Sequence, residues 1–195
     1  MLKNIKTSII ALGFFTVVCG ILYPLAITGV GAVFDFEAQG SLVKDGSKPV
    51  ASLLIGQNFT NNGYFHSRPS AAGADGYDGV SSGGSNLGYT SQKLYEGVKD
   101  RAAKYRETNG LDVNDTVPMD AVTASASGLD PHITIQNALL QSKRVAKARS
   151  VEPSEIQKII KDSSERKFLG IIGEEKVNVV KLNLRLDREF GKAKI

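Results

Sequence analysis

The sequence TSIIALGFFTVVCGILYPLAITGVGAVF, residues 7–34, contains no charged side chain. A membrane-spanning helix needs about 20 predominantly apolar residues to cross roughly 30 Å of hydrocarbon. This stretch is long enough, and the remainder of the chain has ordinary polarity. We therefore predict an N-terminal transmembrane anchor over residues 1–34, followed by one domain outside the bilayer.

Two other interpretations of this stretch compete with a retained helix. A cleaved secretory signal usually has an apolar core of only about 7–15 residues, although Val30-Gly31-Ala32 offers small residues suited to cleavage. A lipoprotein signal ending at Cys19 fails because the preceding residue, Val18, is bulky and the apolar stretch continues beyond it. The length of the stretch favours a retained transmembrane helix.

The charges at the two ends of the stretch predict its orientation. Lys3 and Lys6 precede it, whereas Asp35 and Glu37 follow it and no lysine occurs before Lys44. Basic residues close to a span tend to stay in the cytoplasm. We expect a cytoplasmic N-terminus, a single pass through a bacterial inner membrane, and an extracytoplasmic (periplasmic) C-terminal domain.

Small residues recur at spacings of three and four along the predicted helix. This spacing places Gly13, Thr16 and Gly20 on one side, where the backbone of another helix can approach closely. Tyr23 continues the line, and Pro24 is expected to kink the helix. We predict that these five residues form a helix-packing interface; the alternative is a monomeric anchor with incidental glycines.

Composition limits the functions open to the rest of the chain. The sequence has 24 basic and 20 acidic residues, and because Lys3 and Lys6 precede the span, the remainder is nearly balanced in charge. The remainder has no basic tract of the kind that indicates nucleic-acid binding. The only cysteine, Cys19, lies in the anchor, so we expect neither a disulfide nor a Cys/His zinc site in the domain.

The hydrophobic patterns predict an α+β (or α/β) domain over residues 49–195, after a polar linker at 35–48. An apolar segment at 49–59 is predicted to form a strand. The following segment, 60–89, is rich in Gly, Ser and Asn and predicts a long irregular loop. Loops of this length in compact domains are usually functional or disordered.

Three helices and a final strand complete the prediction. The first helix is expected from a cap at Thr90 to about Thr108. The second is expected from Asp130, as cap, with Pro131 in its first turn, to about Ser150, with Ile135, Leu139 and Ala146 facing inward. The third opens at Pro153 with isoleucines inside. Leucines alternating with polar residues at 180–187 predict a half-buried strand.

Two motifs suggest chemistry but carry little weight. GGSNLGYT, residues 83–90, has the outline of a phosphate-binding loop, but Tyr89 replaces the essential lysine. Ser125, Ser127, Asp130 and His132 include the residue types of a hydrolytic triad. Without a nucleophile elbow, Asp130 is better explained as a helix cap and His132 as a first-turn residue. An anchored hydrolase using Ser125 and His132 is the alternative to a non-catalytic accessory subunit.

Blocks of sequence along nearly the whole chain resemble the C subunit of the Kdp potassium-transporting P-type ATPase. The match includes Tyr23-Pro24 in the anchor, and Tyr89 is a local departure from the family pattern. The blocks that carry the resemblance are GQNF (56–59), YFHSRPSA (64–71), SGGSNLG (82–88), VTASASGLDPHI (122–133), VNV (177–179) and LN (182–183).

The resemblance implies a non-catalytic subunit of a four-part potassium-uptake complex in the bacterial inner membrane. Its partners would be a channel-like potassium-selecting subunit, a P-type ATPase subunit that hydrolyses ATP, and a small single-span subunit. The family role is assembly and stabilisation, with action as a catalytic chaperone that raises the ATPase subunit's affinity for ATP. Capping of the potassium entrance is a second hypothesis.

No cofactor is assigned to this chain, since the complex handles ATP and potassium. We expect its loops to face partner proteins through five residues that lie in or beside the resembling blocks: Arg68, Asn86, Ser125, Asp130 and His132.

Overall fold

The computed structural model describes residues 2–167 and 169–193, which divide into one compact unit ending at Leu42 and a second beginning at Val43. The first unit contains α1 (Leu2–Val17), a π-helical turn (Val18–Leu22), α2 (Tyr23–Gly31) and the short α3 (Asp35–Ala38). Residues 2–31 form one helix long and apolar enough to cross a membrane, and none of its side chains is buried within the chain. The predicted helix is therefore confirmed.

A change of helix type precedes the proline in this helix. The backbone N–H of Tyr23 donates to the carbonyl of Val18, five residues earlier, which is the hydrogen bond of a π-helix. Pro24 follows directly, and it has no N–H with which to continue the ladder. The carbonyl of Pro24 accepts from the hydroxyl of Thr28 at 2.8 Å. The irregularity lies where the sequence predicted a kink.

The second unit starts with two short strands. These are β1 (Leu42–Asp45), which begins at the boundary, and β2 (Lys48–Ser52), and the two pair in a two-stranded sheet around a turn at Gly46. The predicted linker at 35–48 did not anticipate α3 or β1. The strand predicted at 49–59 ends at Ser52, beyond which the backbone turns.

A long irregular loop then runs from residue 53 to 91, as predicted, and leads into α4 (Gln92–Asn109). The N-cap is Ser91, one residue later than the predicted cap at Thr90, and its side chain makes no capping hydrogen bond. A single helical turn, α5 (Met119–Val122), follows.

A three-stranded antiparallel sheet and three helices form the rest of the unit. The strands are β3 (His132–Thr134), β4 (Ser164–Glu165) and β5 (Lys176–Asn178), in the order β3-β5-β4, with Ile133 and Ser164 both opposite Val177. The helices are α6 (Ile135–Arg149), α7 (Pro153–Asp162) and α8 (Val179–Phe190). Antiparallel strands with segregated helices are typical of the α+β class rather than α/β.

The predicted start of the second helix is wrong. Residues 132–134 form β3, and the N-cap of α6 is Thr134, whose hydroxyl accepts from the N–H of Asn137 at 3.2 Å. Asp130 instead accepts from the N–H of His132 at 3.0 Å in a local turn, so it resembles a cap without being one. Leu139, expected inside, is exposed.

The predicted C-terminal strand is also wrong, because residues 179–190 form α8. Leucines at every second position fit a strand, but Val179, Leu182, Asn183 and Leu186 also fit one face of a helix, and that face is buried. Asn183, which the strand prediction placed toward solvent, lies in the core.

The core lies between α6, α7, α8 and β5, and one aromatic residue reaches it from the long loop. The three isoleucines of α7 are buried, as predicted. Phe65 is completely buried against these helices although it belongs to no helix or strand. The loop is therefore held at its middle by the core. The core residues are Phe65, Ile133, Ala138, Val145, Ala146, Ile156, Ile159, Ile160, Val177, Val179, Leu182 and Leu186.

Candidate functional site

Three loop segments, two from the long loop and one from just before β3, meet on the second unit. We call residues 67–72, 82–84 and 125–130 together the loop platform. The hydroxyl of Ser70 donates to the carbonyl of Gly128 at 2.6 Å, and both the N–H of Gly83 and the hydroxyl of Ser82 donate to the carbonyl of Ser127 at 2.9 Å. Each segment overlaps a block that carries the family resemblance, and hydrogen bonds between the segments fix their relative positions.

Close backbone contact is possible here because a glycine stands at the centre of the platform. Gly128 has φ +67°, and a Cβ atom on it would lie 2.6 Å from the carbonyl oxygen of Gly83 and 2.7 Å from the nitrogen of Ala72. No side chain can be added at this point without moving backbone atoms. The glycine thus explains how 67–72, 82–84 and 125–130 can pack together.

Charged groups cluster where the platform adjoins β3 and β4. Arg68 Nη1 lies 3.0 Å from one carboxylate oxygen of Asp130, and His132 Nδ1 lies 3.4 Å from the other. On its opposite side, His132 Nε2 lies 3.6 Å from Glu165. The Nε of Arg68 is buried and has no hydrogen-bond partner in the described part of the chain. The cluster ties the platform to the sheet and leaves one donor unused.

The carboxyl group of Asp130 remains ionised over the whole physiological range. Burial raises the pKa of Asp130, but hydrogen bonds from the side chain and backbone of His132, together with Arg68, outweigh it and lower the pKa to about 2.

This geometry gives no support to the hydrolytic alternative. Ser125 is buried, and its hydroxyl contacts Ser127 Oγ at 3.5 Å and the N–H of Asp130 at 3.4 Å. Both ring nitrogens of His132 face carboxylates, whereas a triad needs one of them on the serine hydroxyl. Among the described residues, no group of three His, Cys, Asp or Glu side chains could hold a metal ion.

The five residues predicted to face partners are thus only partly brought together. Arg68, Asp130 and His132 form the charged cluster, and Ser125 supports Asp130 from inside. Asn86 is exposed with φ 52°, and the hydrogen bonds that link the platform segments do not involve it.

In the first unit, the predicted helix-packing residues lie before, within and after the π-helical turn: Gly13 and Thr16 in α1, Gly20 in the turn, and Tyr23 and Pro24 in α2. A Cβ on Gly13 would meet nothing within 4 Å, and one on Gly20 would meet only Thr16 Cγ2, at 3.9 Å. Neither glycine is required by a contact within its own helix. The tolerance of this helix for larger side chains makes the predicted interface testable by substitution.

Sequence reasoning missed the polar side chains that hold the long loop against the core. Asn183 accepts from the N–H of Phe65 at 2.8 Å and donates to its carbonyl at 2.9 Å, and Gln141 makes the same pair of bonds to His66 at 2.8 and 3.2 Å. Buried Arg144 donates to the carbonyls of Asn62 and Tyr64 at 2.6 and 2.9 Å. The available signal was polar residues at inward positions of helices, such as 137, 141 and 144 on α6.

Comparison with known proteins gives a consistent result. The profile of one protein family, described as "KdpC: K+-transporting ATPase, c chain", matches residues 5–188. A protein named "Potassium-transporting ATPase KdpC subunit" from Mycobacterium bovis is 47% identical over 189 residues, which cover 96% of this chain and 100% of that protein. Proteins of the same name from Beijerinckia indica and Myxococcus xanthus are 47% and 51% identical, covering 97% and 90% of this chain and 96% and 83% of their own.

Proposed function

The chain belongs to the family of the K+-transporting ATPase c chain (KdpC), and from this premise we propose that it is a non-catalytic accessory subunit of an ATP-driven potassium-uptake complex. Its partners in this proposal are a channel-like potassium-selecting subunit, a P-type ATPase subunit and a small single-span subunit. Hydrolysis of ATP takes place on the ATPase subunit. The names of the relatives and the absence of a triad around His132 support this assignment.

The proposal includes a retained anchor in the bacterial inner membrane. An apolar helix over residues 2–31 has the length for a single pass. The basic residues before it and the acidic residues after it favour a cytoplasmic N-terminus and a periplasmic domain. In the bilayer, Gly13, Thr16, Gly20, Tyr23 and Pro24 would contact helices of the partner subunits.

One observation carries the proposal furthest, namely that the family's sequence blocks fold into one hydrogen-bonded surface. The blocks at 64–71, 82–88 and 122–133 each contribute a segment to the loop platform. A surface of fixed shape suits docking, because the interface backbone of pre-organised complexes moves little on binding. Exposed side chains such as that of Asn86 are available to a partner.

Docking of this kind offers a route to the family's chaperone role. A domain on the periplasmic side does not contact cytoplasmic ATP. It can still raise the ATPase subunit's affinity for ATP if it binds one conformational state of the pump more tightly than another. A cap over the potassium entrance would act through the same contacts.

Purification of the tagged chain from its native membranes tests this function. We expect three co-purifying subunits and an ATPase activity that potassium stimulates. Replacement of Gly13 and Gly20 by Leu should reduce the recovered partners, because the added side chains keep neighbouring helices apart. A matched control is Ala11→Leu, which lies on the opposite side of α1 at about 100° per residue.

Two results would contradict the proposal. If the wild-type chain purifies alone, it is not a stable subunit of such a complex. If partners are recovered equally with the double leucine variant and with Ala11→Leu, the small-residue side of the helix is not an interface.

A further inference from the structure

A cavity of about 380 Å³ lies between the long loop and α4, away from the charged cluster of the platform. Its walls come from loop residues around 58–69, from Tyr77, and from the side of α4 that carries Arg101, Lys104 and Tyr105. Small-molecule sites in proteins commonly have volumes of about 300–1,000 Å³. We call this space the α4 cavity.

The charged side chains that line the α4 cavity are cationic. Arg101 and Lys104 lie on its wall, and no Asp or Glu is among the lining residues of the described chain. Within residues 2–167 and 169–193, neither side chain has a carboxylate within 4.0 Å. Two positive charges, neither of them in an ion pair with the described residues, face one concave space.

The position of Arg101 is fixed. Its Nε donates to the carbonyl of Val122 at 2.5 Å, and its guanidinium lies against Gly97, where a Cβ would come within 3.3 Å of Nη1. Because Nε is occupied, the two Nη nitrogens are the part of the fork left for a ligand. A fixed guanidinium loses little conformational freedom when it binds an oxyanion.

A neighbouring histidine is kept neutral, mainly by burial. His66 lines the cavity, and burial, then Arg144 and Lys104, lower its pKa to about 4 although a bond to the carbonyl of Asn61 raises it. His66 is therefore neutral at physiological pH. The local environment disfavours an additional positive charge.

We propose that the α4 cavity binds a phosphate-type oxyanion, held by Arg101 and Lys104. A phosphate dianion would neutralise both cations, and the phosphodiester monoanion of a lipid headgroup would neutralise one of them. The aromatic side chains of Phe59, Tyr77 and Tyr105 line the cavity, so an organic group attached to the oxyanion could pack against them. Free inorganic phosphate and a phospholipid headgroup share this chemistry, and the experiment separates them.

The test uses the full-length chain in a non-ionic detergent and low-chloride buffer at neutral pH. Isothermal titration with inorganic phosphate should show saturable binding in the millimolar range or tighter. Lys104→Gln should weaken it at least about 10-fold, the usual effect of losing one charge-assisted hydrogen bond. The control, Lys99→Gln, removes the same charge from an exposed position of α4 outside the cavity and should change affinity less than about 2-fold.

A second readout reports on the cavity itself. The chain has two histidines, so a sample with ¹³C-labelled histidine gives one signal from His66 and one from His132, which does not line the cavity. An anion beside Lys104 should raise the pKa of His66 toward its ordinary value. A purely structural role for Lys104 would not produce this phosphate-dependent change.

The outcomes separate the two sources and can overturn the proposal. Displacement of phosphate by short-chain phosphatidylglycerol assigns the site to a lipid headgroup; phosphate binding that this lipid does not affect assigns it to the free anion. No heat at millimolar phosphate, equal weakening by Lys104→Gln and Lys99→Gln, or an unchanged His66 titration would each overturn the proposal.

Discussion

The N-terminal helix has a regular backbone but no side chains buried within the chain, whereas the loop at 53–91 has an irregular backbone and completely buried side chains. The helix over 2–31 is regular apart from one π-helical turn, yet none of its side chains is buried within the chain. The loop has neither helix nor strand, yet it contributes Phe65 and Ala72, both completely buried. Regular backbone and internal support are therefore separate properties in this molecule.

The source of support explains the difference. A helix satisfies its backbone hydrogen bonds within itself, so an apolar environment such as a bilayer can supply everything else. The loop cannot do so, and side chains distant in sequence pair its backbone instead. The side chain of Asn183 is hydrogen-bonded to the backbone of Phe65, 118 residues away in sequence, and that of Gln141 to the backbone of His66, 75 residues away. An ordered loop of this kind depends on the rest of the domain.

The largest expected difference between the helix and the loop is in how charged substitutions affect retention in the membrane. Phe15→Lys with Cys19→Lys places two charges near the middle of the apolar helix, at about 2.5–3.5 kcal/mol each for insertion. We expect the variant to be lost from the membrane pellet after an alkaline carbonate wash. The matched control is Val80→Lys with Tyr89→Lys, two loop positions that are 97% and 96% exposed, and it should remain in the pellet.

Retention of the double helix variant in the pellet would contradict the anchor. Loss of the loop control from the pellet would show that the assay reports general destabilisation rather than insertion.

Sequence patterns predicted what depends on neighbours along the chain. The uncharged stretch predicted the N-terminal helix, and the isoleucines after Pro153 predicted α7 with its buried face. Composition also predicted the irregular loop. In each case the deciding interactions are local, or they involve solvent or lipid, and so the sequence itself contains the information.

The predictions that were wrong concern features that depend on contacts between residues distant in sequence. The segment at 179–190 satisfies both a two-residue and a helical repeat, and the helix places Asn183 where it pairs the backbone of Phe65. Asp130 has the character of a cap, but Thr134 caps α6 because residues 132–134 pair with β5. For the site, the sequence predicted Arg68, Asp130 and His132 as partner-facing residues, and the structure places these three in one charged cluster. The sequence did not predict that Glu165 would join the cluster.

A glycine substitution tests how closely the loop segments must approach. Gly128→Ala adds a Cβ atom at 2.6 Å from Gly83 O at φ +67°, whereas Gly110→Ala adds one in open space at φ +64°. Both variants bear the left-handed strain of about 1–2 kcal/mol, but only Gly128→Ala also displaces backbone, for about 1–3 kcal/mol more. We expect Gly128→Ala to lower the free energy of unfolding by about 3–4 kcal/mol.

Urea unfolding followed by tyrosine fluorescence measures both variants, since the chain has six Tyr and no Trp. Equal destabilisation by Gly128→Ala and Gly110→Ala would mean that the loop platform tolerates extra volume, contrary to a tightly fixed surface.

The smallest predicted effect concerns the pH dependence of the loop's attachment. Burial, followed by the charges of Arg144 and Lys104, lowers the pKa of His66 from 6.5 to about 4. Between these two values the unfolded chain binds a proton that the folded chain does not, so the contribution of His66 to stability falls as the pH decreases from 6.5 to 4 and is constant below that. The loss should reach about 3 kcal/mol, because a shift of one pKa unit corresponds to about 1.4 kcal/mol. The variant His66→Gln cannot titrate, and the difference in unfolding free energy between it and the wild type cancels the titration of every other group.

The unfolding free energy of His66→Gln should therefore rise relative to that of the wild type as the pH is lowered from 6.5 to 4. A difference that stays constant from pH 7 to 4 would mean that the loop accommodates a charged imidazole, and that its attachment at Phe65 and His66 is looser than the paired amides of Asn183 and Gln141 indicate.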